Sequence, residues 1–138
     1  MEAKKYSRRF SRGTSMAEAA ITLPVVVLLT FALVNLAMAG YAAVAASNAA
    51  NYGARVGSVA QSDQINHAIA AAQTKINQTG IGDYLIYATG GGTRGSQIIV
   101  VVQWTVPNYI GGLMSWIGGV ELTTITGSAQ STFRQEGW

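Results

Sequence analysis

From Ala19 to Ala46 the chain carries no charged residue and few polar ones. As helix these ~28 residues extend about 42 Å at 1.5 Å per residue, whereas a bilayer core of about 30 Å needs about 20. A segment of this kind is long enough to cross a membrane. At 138 residues the chain has room for one span and one small domain, not two full domains. The run exceeds the roughly 7–15 apolar residues of a secretory signal and no A-x-A site closes it, which predicts a span that is retained.

Charge is sparse and unevenly placed. Charged residues make up 11% of the chain, well under the roughly 25% of a typical soluble domain. Lys4, Lys5, Arg8, Arg9 and Arg12 crowd the N-terminus, and beyond Glu18 the balance is neutral. A basic arm abutting a span follows the positive-inside rule, which puts the arm in the cytoplasm and the rest of the chain outside. The same abutment argues against nucleic acid as a partner and for membrane lipid. With no cysteine, disulfides, thiolate metal sites and cysteine nucleophiles are excluded. A small outer part without such staples draws stability from the membrane or from partners.

Within the run, three residues are unusual. Glu18 stands at its mouth, where a carboxylate is costly without a partner. Pro24 removes an N–H and loosens the helix near Ala20 and Ile21, leaving a carbonyl that Thr22 or a neighbouring helix can satisfy. Asn35 falls near mid-membrane, where its amide bonds either another helix or its own backbone. Past residue 36 the composition turns to Ala and Gly. Ala45, Ala49, Gly53 and Gly57 form an i+4 ridge, with Ala42, Ala46 and Ala50 beside it, and small-residue ridges let helices approach closely. One helix is expected from about Ser15 to Ala60, carrying Asn48, Asn51 and Arg55 on its upper third.

The remainder reads as α+β. Gln61-Ser62-Asp63 supplies an N-cap for a second helix whose Ile65, Ala68, Ile69, Ala72 and Ile76 form an amphipathic stripe, ended by Gly80 and Gly82. Tyr84–Tyr87 predicts a short strand, Thr89–Ser96 a turn, Gln97–Val106 a second strand and Leu122–Phe133 a third. The expected fold is a long helix leaving the membrane, a second amphipathic helix and a small antiparallel sheet of two or three strands. Its divisions are 1–13 (basic arm), 14–60 (span and extension) and 61–138 (outer domain). Pro107–Val120 is an uncharged aromatic loop holding Tyr109, Leu113, Met114 and Trp116. It either tucks over the sheet or touches lipid headgroups or a partner.

No catalytic, cofactor or metal site emerges. His67 follows Asp63 by four residues on the polar side of the second helix, with no nucleophile placed near it. Gly90 and Gly95 have G-x4-G spacing but Ser96 follows where a phosphate loop needs Lys. Asp63, Asp83 and Glu121 are scattered singly, unlike a metal site. Asn77-Gln78-Thr79 has the form of a sequon, meaningful only in a eukaryotic secretory route.

Taken together, the chain resembles the TadE-like minor pilins or pseudopilins of tight-adherence pilus systems. Arg12-Gly13 followed by Ala17-Glu18 is similar to a prepilin leader junction with Glu at the fifth mature position. Pro24 lies six residues after Glu18, Asn51-Tyr52-Gly53-Ala54-Arg55 resembles the family's membrane-exit segment, and Pro107 with the Thr/Ser-rich final strand resembles its C-terminal half. Ala19 and Ala20 depart from the large apolar residue often found after the Glu. The resemblance implies a non-enzymatic subunit of the bacterial inner membrane. A prepilin peptidase would cut between Gly13 and Thr14, and Glu18 would meet a neighbour's N-terminal ammonium. Other pilus or membrane subunits would be engaged through the N-terminal helix. The alternative keeps the leader and makes the chain an accessory single-span subunit docked in a membrane complex, and a membrane-anchored enzyme has least support.

Overall fold

The computed structural model describes residues 11–116, 118–119 and 123–136, without the side chains of residues 11–14, 113, 114 and 116. Helix α1 runs unbroken from Ser11 to Val59, followed by α2 (Gln64–Ile76), β1 (Asp83–Gly90), β2 (Gln97–Pro107), α3 (Tyr109–Trp116) and β3 (Thr124–Arg134). The three strands form one antiparallel sheet in the order β1-β2-β3. The fold is the expected α+β: a long apolar helix, a second helix and a three-stranded antiparallel sheet.

Strand β2 is central because its β-branched residues alternate faces. Ile98, Val100, Val102, Trp104 and Val106 are buried, while Gln97, Gln103 and Pro107 are exposed. Burying one such aliphatic side chain contributes about 1.5–3 kcal/mol. The opposing layer is built of small residues. Ala42, Ala46, Ala50 and Ala54 of α1 share one buried cluster with these β2 residues and with Ala68, Ala72 and Ile76 of α2. Small side chains on the helix let it lie close to the sheet, so bulk on one layer fits the lack of it on the other. At Trp104, which pairs with Gly127 across β2–β3, a Cβ at Gly127 would run into the indole. We call this assembly of α2, the sheet and upper α1 the head.

Several boundaries differ from the sequence reading, each for a local reason. Helix α1 is already formed at Ser11, the first described residue, four residues before the expected start. Strand β1 extends to Gly90 because it pairs with β2 as far as Gly90–Ile98, drawing in residues expected in the turn. Gly90 adopts φ +96° against the Gln97 carbonyl, a place where a side chain has no room. The third strand begins at Thr124 and ends at Arg134, and Leu122 lies outside the described residues. Asp63 does stand at the N-cap of α2, but in a left-handed conformation (φ 53°) without a side-chain cap bond. Its carboxylate instead accepts from the Asn66 side chain at 2.8 and 2.9 Å. Of the α2 stripe, Ala68, Ala72 and Ile76 are buried, Ile69 is half-buried and Ile65 is exposed. The uncharged segment 107–120 is not a loop throughout, since it holds the two turns of α3.

Candidate functional site

Nothing of the head covers the lower part of α1 over most of its circumference. Ile21, Leu23, Val25, Val26, Leu29, Phe31, Leu33 and Val34 are all exposed. This stretch, Ser15 to Val34, is about 20 residues or roughly 30 Å of helix, the thickness of a bilayer core. The helix Ser15–Val59 is the one candidate membrane span among the described residues. Its hydroxyls suit such surroundings. Thr22 donates to the Glu18 carbonyl at 2.7 Å and Thr30 to the Val26 carbonyl at 2.8 Å, so both are satisfied within the helix. The Thr22 bond corrects one expectation: its hydroxyl serves the Glu18 carbonyl, one turn back, and not the Ala20 carbonyl that Pro24 frees. The Glu18 side chain itself is exposed. Gly13 and Thr14 lie at the start of the described part of α1, and the Thr14 side chain lies outside the described residues.

Asn35 marks where the covered part of the helix begins. It is 5% exposed, and of the two partners expected of it, another helix or its own backbone, it takes the first, the helix being α3 of the same chain. Its amide nitrogen donates to Asn108 Oδ1 at 2.6 Å, and its own Oδ1 accepts the Tyr109 backbone N–H at 3.1 Å. Asn108 Oδ1 also accepts the backbone N–H groups of Ile110 and Gly111 at 3.1 and 3.2 Å. Two asparagines far apart in sequence therefore cap α3 jointly and pin it to α1. Chain connectivity explains why the sequence hid this: Asn35 is read as a membrane amide until the tertiary fold brings residue 108 to it. A local signal for Asn108 did exist, since Asn after Pro and before an apolar stretch is a helix N-cap pattern.

The small-residue ridge is occupied within the chain. A Cβ at Gly53 would stand 2.6 Å from the Ala68 carbonyl oxygen and 2.9 Å from the Ala72 Cβ, and one at Gly57 would stand 2.8 Å from the Ala68 Cβ. Ala49 is fully buried and Ala45 half-buried. Helix α2 packs into this ridge, and the Ala42–Ala46–Ala50 row belongs to the cluster shared with the sheet. Two polar contacts add to the union. Ser131 donates to Asn51 Oδ1 at 2.7 Å from β3 to α1, and the Lys75 ammonium sits 5.0 Å from the Tyr52 ring centroid. At the helix top, Glu136 N–H donates to the Ser58 carbonyl at 3.2 Å.

Other candidates from the sequence stay apart. His67 is exposed on α2, and among the described residues no three acidic, histidine or cysteine side chains cluster as metal ligands. Tyr109 is 51% exposed at the start of α3, whereas the side chains of Leu113, Met114 and Trp116 lie outside the described residues. Tyr84, whose hydroxyl donates to the Ile81 carbonyl at 2.8 Å, has its pKa raised above the ordinary 10.0 chiefly by burial.

The elements thus sort into a lipid-suited lower helix and a head closed around the upper helix. No curated protein and no solved structure matches the chain significantly. The likenesses at Pro107 and in the final strand fall outside the part of the chain that a family model covers. That part, residues 13–55, begins at Gly13 and takes in Glu18, Pro24 and the Gly-Ala-Arg segment, and it matches the family described as TadE-like protein.

Proposed function

We propose that the protein is a non-enzymatic, single-span, pilin-like subunit associated with a tight-adherence pilus of a bacterium. The lower part of α1 crosses the inner membrane, the basic arm is cytoplasmic and the head is exported. The observation that carries this reading is the bare lower helix, with large aliphatic residues outward on nearly every side over one bilayer thickness. Water would oppose such a surface strongly. With Gly53 and Gly57 of the ridge packed against α2, contacts to other subunits fall to the lower helix and to the exposed upper positions Tyr41, Val44 and Tyr52. Glu18 supplies the charge there, and pairing it with an ammonium would offset its cost at the membrane edge.

Intact-mass measurement on protein isolated from native membranes tests the reading. The expected chain starts at Thr14, and Gly13→Val keeps the leader on. A native chain that still starts at Met1 removes peptidase maturation and turns the protein into an unprocessed accessory subunit.

A further inference from the structure

We propose that α3 is a membrane-surface helix that seats the head on the outer leaflet, with lipid headgroups and upper acyl chains as its occupant. The proposal rests on α1 being the span, as inferred above.

Position comes first. Asn35 holds the start of α3 against α1 immediately above the bare stretch. It lies 17 positions above Glu18 in sequence, about 25 Å along a helix. With Glu18 at one edge of a core of about 30 Å, Asn35 lies close to the other. The face that carries Asn35 continues downward through Ala32 and Leu28, both half-buried while Leu29, Phe31 and Leu33 are exposed. Among the described residues, cover therefore reaches below Asn35 on that face alone, and α3 is the element pinned there.

The chemistry of α3 fits that level. A helix start normally leaves N–H groups that need water. Here the N–H groups of Tyr109, Ile110 and Gly111 all have side-chain acceptors in Asn35 and Asn108, so this end tolerates a medium poor in water. The segment YIGGLMSW contains no charged residue. It opens on an exposed Tyr and closes on a Trp, the two residues enriched at membrane interfaces.

The cysteine-free chain allows a direct test with single-cysteine variants of the full-length protein. Tyr109→Cys, Val26→Cys and Gln61→Cys would each carry a bimane label. The variants would be reconstituted in phosphatidylethanolamine–phosphatidylglycerol vesicles containing nitroxide lipids labelled at the headgroup or at mid-chain. Tyr109 is half-exposed and contributes only its backbone N–H to the Asn35 junction, so the substitution leaves the cap in place. The expected result is quenching of position 109 by the headgroup label above all, of position 26 by the mid-chain label, and of position 61 by neither. An unquenched position 109 beside a quenched position 26 overturns the proposal and leaves the span standing, whether α3 is then covered by protein or by water. Quenching of 109 mainly by the mid-chain label also overturns a surface seat. An unquenched position 26 removes the span, and the seat with it.

Discussion

Helix α1 is a single unbroken element that has two different surfaces. Below Asn35 its large residues, Leu28 excepted, point outward, and almost nothing of the described residues touches them. Above Asn35 its small residues point inward, and α2 and the sheet press against them on two sides. Backbone geometry is the same in both halves, so what differs is the solvent each side chain was chosen for. In lipid, Leu and Val gain nothing from burial in protein and can face outward on all sides. In water, the helix is held by contact with the rest of the chain, and close contact demands Ala and Gly. On the reading proposed above, one helix serves as anchor in one half and as core in the other.

The sharpest way to break that contrast is to put bulk where the upper half is small. Gly53→Leu forces a side chain into the Ala68 carbonyl and Ala72, and overpacking of this kind costs about 1–3 kcal/mol or occasionally more. The head is expected to lose protease resistance in detergent. Gly40→Leu, at a position whose Cβ would meet nothing within 4 Å, is expected to leave it unchanged. Equal effects from the two would mean that the upper helix is not the core of the head.

A smaller effect is expected at the boundary between the halves. Asn35→Leu takes the acceptor from the Tyr109 N–H and the donor from Asn108, and a lost buried partner costs about 1–3 kcal/mol. Limited proteolysis should then open the segment around α3 while α2 and the hairpin stay protected. An unchanged digest would show that the two asparagines do not hold the boundary.

Smaller still is the effect of cutting one polar tie of the upper half. Ser131→Ala removes one hydrogen bond to Asn51, worth about 1 kcal/mol. The midpoint of denaturant unfolding of the head should shift slightly, with no change in membrane extraction. A shift in extraction instead would couple the two halves more tightly than their surfaces suggest.

The last and smallest effect is one of pH, confined to the head. Burial raises the Tyr84 phenol, so as pH rises past about 10 the unfolded chain loses this proton before the folded one does. Stability is therefore fully present below about 10 and declines above it, until the folded phenol also ionises. Thermal unfolding from pH 9 to 11 should show a decline that is reduced in Tyr84→Phe. Identical profiles would mean that other groups set the alkaline limit.

Much was legible in the residues alone because the governing effects are local. The uncharged run, the switch to Ala and Gly after residue 36, the stripe of α2 and the alternation of β2 each follow from side-chain periodicity within a few turns. The junction motif around Gly13 and Glu18 is likewise a matter of spacing, and the family match covers it. Other features depended on segments distant in sequence. The ridge Ala49–Gly53–Gly57 announces that something comes close, but periodicity is silent on whether that is another subunit or α2. Asn35 reads as a membrane amide until Asn108, 73 positions later, reaches it. Segment 107–120 reads as a loop until that pair of amides satisfies the first N–H groups of α3, and Gly127 has no evident purpose until the Trp104 ring lies over it. Side-chain pattern determined which surfaces must be covered. Only chain folding decided what covers them, because a contact between distant residues leaves no period in either of the segments that make it.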